Sequence, residues 1–250
     1  MRYSVVFWDI DGTILHGEDP PEGFTSCPSL TEIEHGGPER AAQMVRLLGH
    51  APPRELAQMV RELETELRAE HGACFSLEIL TASLYERLGI AARREESLLL
   101  ADVLWGVRYR EWVWPGCAEA LETLHGAGVR MGVITNNAAT GRMMRTALAG
   151  VGLHSFFGPV ICSCDVGRQK PDPRIFNAAL AALAPPVTMA VHDGAVLYVG
   201  DNPVADVQGA IAAGWDAALH LTGPETPPAG QEVLAFRDYQ ELVRLILDEN

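Results

Sequence analysis

The chain has 250 residues, 48% of them hydrophobic, and a formal net charge of −14. That is enough apolar material for one large core, or for a core with a substantial insert, while so acidic a chain argues against nucleic acid and anionic membrane as partners. No apolar run approaches the roughly 18 residues that span a bilayer, no segment reads as a signal peptide, and five scattered cysteines form no disulfide framework, so a reducing cytoplasm is expected.

The first element carries the most information. Val5-Val6-Phe7-Trp8 is an apolar run that stops at Asp9-Ile10-Asp11-Gly12-Thr13. It reads as a strand buried on both faces, as in a parallel sheet. In extended backbone Asp9 and Asp11 point one way and Ile10 the other, and Gly12 permits a sharp turn. Two carboxylates side by side at a buried strand end repel each other and are costly to bury. A cation or a reaction would account for them. So would a charged strand end followed by a solvated turn, and the stretch alone leaves both open.

Residues 16–37 are rich in Pro, Gly, Glu and Thr and read as a loop or weak hairpin. Helices are expected next, over 38–49, 53–71, 77–88 and 95–109. The second carries the stripe Leu56, Met59, Val60, Leu63 and Leu67 and stops at Gly72. The third carries Leu77, Leu80, Leu84 and Leu88 and stops at Gly89. Together they predict a helical bundle, with no comparable strand signal between residues 16 and 112.

From Trp114-Pro115-Gly116 onward, helices and strands alternate. The helix over 118–125 leads into a strand over 129–134 that ends at Thr135-Asn136-Asn137. A helix over 140–149 precedes a strand over 160–162. Asp172 is a good N-cap and Pro173 a good first helical residue, which starts a helix running to 183. A strand over 196–199 ends at Gly200-Asp201, and Asn202-Pro203 opens a helix through 213. A short strand over 217–219 and a helix over 239–247 finish the chain, with a plain loop over 223–230. Such alternation predicts an α/β fold with a doubly wound parallel sheet. Ligands in such sheets sit outside the carboxyl ends of the strands. Asp9, Asp11, Thr135 and Asp201 all fall there.

One compositional oddity bears on the site. Of 19 basic residues, Lys170 is the one lysine and the rest are arginine. Whatever bias replaced lysine elsewhere spared this position, which argues for a compact ammonium rather than a planar fork there.

The stretches Asp9-Ile10-Asp11-Gly12-Thr13, Ile134-Thr135-Asn136, Lys170-Pro171-Asp172-Pro173 and Gly200-Asp201 with Asp206 resemble the four ordered motifs of the haloacid dehalogenase superfamily. The resemblance covers about residues 1–15 and 113–222. It implies a Rossmann-like core over 1–15 and 113–250, with a class I helical cap domain inserted over 16–112. The subgroup it most resembles is the phosphoglycolate-phosphatase-like one. The implied activity is Mg²⁺-dependent hydrolysis of a small phosphorylated metabolite through an aspartyl-phosphate.

By this resemblance Asp9 is the nucleophile and Asp11 the acid and base. The metal is held by the Asp9 side chain, the Asp11 backbone carbonyl and Asp201, with Asp206 a further ligand or an anchor behind the ligands. The Thr135 hydroxyl, backbone N–H groups near Asn136 and Lys170 serve the phosphate, with Lys170 also balancing the charge of Asp9. Thr135 also fits an ordinary strand-end turn, and Asp206 an acid in a helix's first turn. Dehalogenases of the superfamily lack an acid two residues after the nucleophile, so Asp11 points to phosphoryl transfer. Phosphonatases use a cap lysine, and residues 16–112 have none. A phosphomutase, or a catalytically idle binding or regulatory protein, remains an alternative. His16, Glu18, Arg108 and Arg110 lie near the cap junctions and could reach substrate, although each also reads as a solvated polar residue. The sequence is silent on oligomeric state.

Overall fold

The computed structural model describes residues 1–16, 42, 45–46, 49–91, 93–105, 113–183, 196–223 and 233–248. Six strands make one parallel sheet: β1 (Val5–Trp8), β2 (Arg130–Thr135), β3 (Phe157–Cys162), β4 (Val196–Gly200), β5 (Asp216–His220) and β6 (Leu234–Phe236). Their order is β3-β2-β1-β4-β5-β6. Central β1 is paired on both sides, Val5 with Arg130 and Val196, Trp8 with Val133 and Val199. Every residue of β1 is buried. Val6 and Trp8 pack into one layer with the helices Cys117–Gly126 (α4), Gly141–Gly150 (α5), Ser163–Val166 (α6) and Tyr239–Leu247 (α9). Val5 and Phe7 pack into the other with Pro173–Ala181 (α7) and Gly209–Ala212 (α8). The period-two alternation of the strand therefore feeds two cores, and the winding reverses at β1, where the crevice outside the carboxyl ends opens between β2 and β4.

The expected helices of the insert are present; the first two bury leucines of their stripes, while the last buries Leu100 and leaves Leu99, expected in its stripe, exposed. They are α1 (Leu56–His71), α2 (Leu77–Arg87) and α3 (Arg94–Trp105). Leu56, Val60, Leu63 and Leu67 of α1 join Leu80, Leu84, Tyr85 and Leu100 in a core of their own. Ser76 caps α2 by accepting a hydrogen bond from the Ile79 amide. Ala42, Val45 and Arg46 are helical, within the helix expected over 38–49. Gly49 is already a turn; the remaining residues of that helix, the loop over 17–37 and the end of the helix expected to reach 109 lie outside the described residues.

The two segments flanking the insert run side by side. Leu15 bridges Val113 in antiparallel fashion, and the Trp114 amide donates to Ile14 at 3.0 Å. The insert's helices also touch the loop after β2, where the Leu77 amide donates to Ala138 at 2.9 Å.

Three elements differ from the sequence reading. β3 starts at Phe157 rather than 160, passing through Gly158 and Pro159. Proline is tolerated there because β3 is an edge strand. β6 is a three-residue strand, too short to give a periodic signal. The helix expected from Pro203 begins as a π-helical stretch, Pro203–Gln208, before the α-helical turn at Gly209–Ala212. A wide first turn of this kind often marks a site, and Asp206 lies within it. Among the described residues no helix is long and apolar enough to cross a membrane.

Candidate active site

The crevice is built around Lys170. Its ammonium lies 2.8 Å from Asp9 Oδ1 and 2.6 Å from Asp206 Oδ1, and donates to the Tyr198 hydroxyl at 2.8 Å. An ammonium has three hydrogens, and all three are matched. The Tyr198 hydroxyl in turn donates to the Ile134 carbonyl at 2.8 Å. The backbone of Lys170 is gripped as well: Asn136 Nδ2 donates to its carbonyl at 3.0 Å, and its amide donates to Asn136 Oδ1 at 2.8 Å. Asp9, Lys170 and Asp206 are all buried. Asp9 leaves β1 with its amide donating to Val199 at 2.8 Å, so the nucleophile expected from sequence is fixed between β2 and β4.

Asp201 completes an acidic group. Ligand oxygens of Asp9, Asp201 and Asp206 lie within 4.8 Å of one another. Two glycines make room for it. A Cβ on Gly12, whose φ is +79°, would lie 2.1 Å from Asp201 Oδ2, and one on Gly200 would lie 2.3 Å from Asp206 Cγ. Asp206 is further held by the Asn202 amide, donating to Oδ2 at 2.8 Å. Burial pushes the Asp9 carboxyl up to about 7, with Lys170 pulling it down and Asp206 pushing it up. Burial, then the charge of Asp206, pushes Asp201 up to about 6. Burial alone would lower the Lys170 ammonium, but Asp9 and Asp206 outweigh it and raise it. One lysine therefore faces three close carboxylates. The surplus negative charge and the hard oxygen donors fit a divalent cation such as Mg²⁺.

The loop after β2 forms the crevice's other wall. Thr135 is buried at the strand end. Asn137 reaches Asp11, its Nδ2 donating to Oδ2 at 3.3 Å. That asparagine is itself braced by the Ala139 amide on its Oδ1 at 2.8 Å and by its own amide on Ser163 Oγ at 3.1 Å. Asp165, in the short helix after β3, accepts from the Gly141 amide at 2.7 Å, tying that helix to the start of α5. Asn136, whose neighbouring backbone N–H groups are expected at the phosphate, uses both polar atoms of its side chain on the Lys170 backbone. Tyr198, Asn137 and Ser163 were not anticipated from sequence. Tyr198 reads there as one more apolar residue of a buried strand, and its partner lies 28 positions away.

His16 corrects another expectation. It is not solvated but 1% exposed, with its ring 3.8 Å from that of Trp114. Trp114 meets His220 edge-on at 4.8 Å, and His220 Nδ1 lies 2.9 Å from the Gly12 carbonyl. This aromatic layer packs behind the turn after β1 because both flanking segments of the insert pass there. Glu18, Arg108 and Arg110 lie outside the described residues.

Comparison with known proteins agrees with this architecture. Residues 3–214 match the family model of haloacid dehalogenase-like hydrolases. The chain is 31% identical over 186 residues to a phosphoserine phosphatase of Thermus thermophilus, covering 72% of this chain and 70% of that one. It is 28% identical over 223 residues to a phosphoglycolate phosphatase of Cereibacter sphaeroides, covering 89% and 87%. Among solved structures, a 2-haloacid dehalogenase from Pseudomonas syringae aligns over 99% of this chain and all of that one, with a TM-score of 0.66 at 22% identity. At that identity the likeness speaks to fold alone. The match across most of the chain, with the carboxylates and Lys170 gathered at the strand ends, makes this chain a member of the haloacid dehalogenase-like hydrolase family.

Proposed function

We propose that the protein is a Mg²⁺-dependent phosphatase acting on a small phosphomonoester through an aspartyl-phosphate on Asp9. The single observation that carries this is the Asp9–Lys170–Asp206 cluster beside Asp201. It leaves one carboxylate oriented, partly neutralised and among oxygens close enough together to hold a cation. Asp9, Asp201 and Asp206 would hold the ion together with the Asp11 carbonyl. When bound, it supplies the positive charge that lets a carboxylate approach a phosphate.

Each remaining part follows from this chain's own groups. Asp9 attacks phosphorus as its ester bond to the leaving oxygen breaks. Asp11, held by Asn137 at the crevice wall, gives a proton to that oxygen and later takes one from the water that hydrolyses the acyl-phosphate. Lys170 holds and neutralises Asp9 with its hydrogens engaged, so any phosphate contact would share a bond it already makes. Thr135 and the backbone amides beside Asn136 are the donors proposed for the phosphoryl oxygens.

Residues 16–112 form the proposed cap and 1–15 with 113–250 the core. The insert's separate core and the paired flanking segments at Leu15 and Val113 support that division. A cap closing over the crevice suits a small metabolite. The relatives named for phosphoserine and phosphoglycolate make these the first substrates to test, with sugar and nucleotide phosphates beside them. Cytoplasmic residence is part of this reading, supported by the free thiols of Cys74, Cys117, Cys162 and Cys164. The test is phosphate release across that panel with Mg²⁺ and with chelator. Release that is metal-dependent and favours one member supports the proposal. No release from any member, or full release in chelator, rejects it.

A further inference from the structure

We propose that Tyr198 is a positioning residue whose hydroxyl fixes the Lys170 ammonium on Asp9. The inference rests on the phosphoryl-transfer reading for its catalytic consequence and on geometry alone for the contact. Tyr198 is fully buried in β4. Its ring packs edge-on against Phe176, with centroids 5.1 Å apart, and a phenylalanine would fill that space as well. The hydroxyl is thus surplus to packing, and burying it is costly unless it is paired. It is paired twice, accepting from Lys170 Nζ and donating to the Ile134 carbonyl, each at 2.8 Å.

The direction of this chain of hydrogen bonds is fixed. A backbone carbonyl only accepts, so the hydroxyl's one proton goes to Ile134 and its lone pair faces the ammonium. Tyr198 adds direction without adding charge. Asp9 and Asp206 both pull on the ammonium, and Asp206 is the nearer, at 2.6 Å against 2.8 Å. Without a third partner the head group could swing toward Asp206 and leave Asp9 less well held. The hydroxyl also refers Lys170 to the scaffold. Asn136 and Ile134 tie it to β2 and Tyr198 ties it to β4, the two strands that flank β1 and Asp9.

The test uses the fact that Lys170 is the chain's single lysine. Protein carrying ¹⁵N in its lysine side chains gives one ammonium resonance. In Tyr198→Phe that resonance is expected to shift, and its protons to exchange at least about tenfold faster, because one of three partners is gone. The kcat for a phosphomonoester is expected to fall roughly 10–100-fold, the size of losing one hydrogen bond to a charged group. KM and the Mg²⁺ half-saturation should stay within about twofold, which a general loosening of the fold would not give.

An unmoved resonance overturns the proposal, and so does a moved resonance with kcat within about twofold of wild type. If the wild type hydrolyses no phosphomonoester, the phosphatase reading fails, and the resonance alone then decides whether Tyr198 holds Lys170. Should the variant not fold, the wild-type signal decides. Slowly exchanging ammonium protons near neutral pH support a fully matched Lys170, and rapid exchange contradicts it.

Discussion

Lys170 and Arg142 each hold two carboxylates, one deep in the crevice and the other at the outer seam between the insert and the sheet. Arg142 reaches Glu78 at 3.1 Å and grips Asp102 with two bonds of 3.0 Å. Thr140 adds a hydroxyl to the same Glu78 at 2.9 Å. As contacts the two clusters are equally good. They differ in water. The side chain of Lys170 is 2% exposed and that of Asp206 1%, whereas Arg142 is 42% exposed and Asp102 34%. Exposed pairs are screened and contribute about 0–1 kcal/mol. A buried pair broken on one side costs roughly 3–5 kcal/mol, because a charge is left without a partner. The comparison teaches that the crevice is held by necessity, since no partner there can leave cheaply, while the seam is held by preference and can let go. That is the division of labour the proposed cap would need in order to close over the crevice.

The sharpest way to break the comparison is Lys170→Met. Losing the ammonium is expected to destabilise the cation-free protein by roughly 3–5 kcal/mol and to reduce turnover to background, read from denaturant unfolding and phosphate release. Lys170→Arg keeps the charge and separates charge from shape. A planar guanidinium cannot meet Asp9, Asp206 and the Tyr198 hydroxyl from one point, and a misplacement of about 1 Å costs roughly 10²-fold in rate. That loss in kcat/KM is expected together with a fall in Tm smaller than that of Lys170→Met, since the charge is kept but the buried packing is strained. A kcat/KM within a few-fold of wild type would put Lys170 outside the site.

Metal and pH come next in size. The folded-state carboxyls of Asp9 and Asp201 are raised to about 7 and about 6. The folded protein therefore binds more protons than the unfolded chain between about pH 4 and 7. Without a cation its stability falls as pH rises through that window. A divalent cation favours the charged carboxylates, so its stabilisation should grow over the same window. At about 100 times its Kd, Mg²⁺ is expected to add about 2.7 kcal/mol near pH 8, roughly 5–10 °C in Tm for a chain of this size. Most of this should vanish near pH 5. Thermal scans with Mg²⁺ and with chelator at both pH values decide it, and an increment independent of pH would remove these carboxylates from the metal site.

The smallest effect is expected at the seam. Arg142→Ala should cost about 1 kcal/mol or less in stability and leave the Mg²⁺ increment intact. A loss as large as that of Lys170→Met would erase the distinction between the two clusters.

What the sequence made legible follows the same physics. Asp9, Asp11, Thr135 and Asp201 could be placed because each ends an apolar run, and a buried parallel strand announces its carboxyl end by the change to polar residues. Lys170 stood out through the absence of any other lysine. The helices expected over 53–71 and 77–88 were legible from their leucine stripes and terminal glycines, while in the next one the buried position is Leu100 rather than Leu99. Side-chain partners were not. Nothing along the chain ties Tyr198 to Lys170, Asn137 to Asp11 or Arg142 to Asp102, which are 28, 126 and 40 positions apart. Nor did anything along the chain show that the side-chain amide of Asn136 matches a backbone donor and acceptor at Lys170, 34 positions away. His16 read as solvated because polarity was its only visible property; its burial comes from Trp114, at the far end of the insert.

The measurement that tests the central claim most directly is a trapping experiment. The protein is mixed with a ³²P-labelled phosphomonoester it turns over, quenched in acid within one turnover and digested, and the label is located by peptide mapping. With Mg²⁺, label is expected on the peptide containing Asp9, lost on treatment with hydroxylamine as an acyl-phosphate should be, and absent in chelator and in Asp9→Asn. Label on any other residue, or retained in Asp9→Asn, would contradict Asp9 as the nucleophile and with it this account of the crevice.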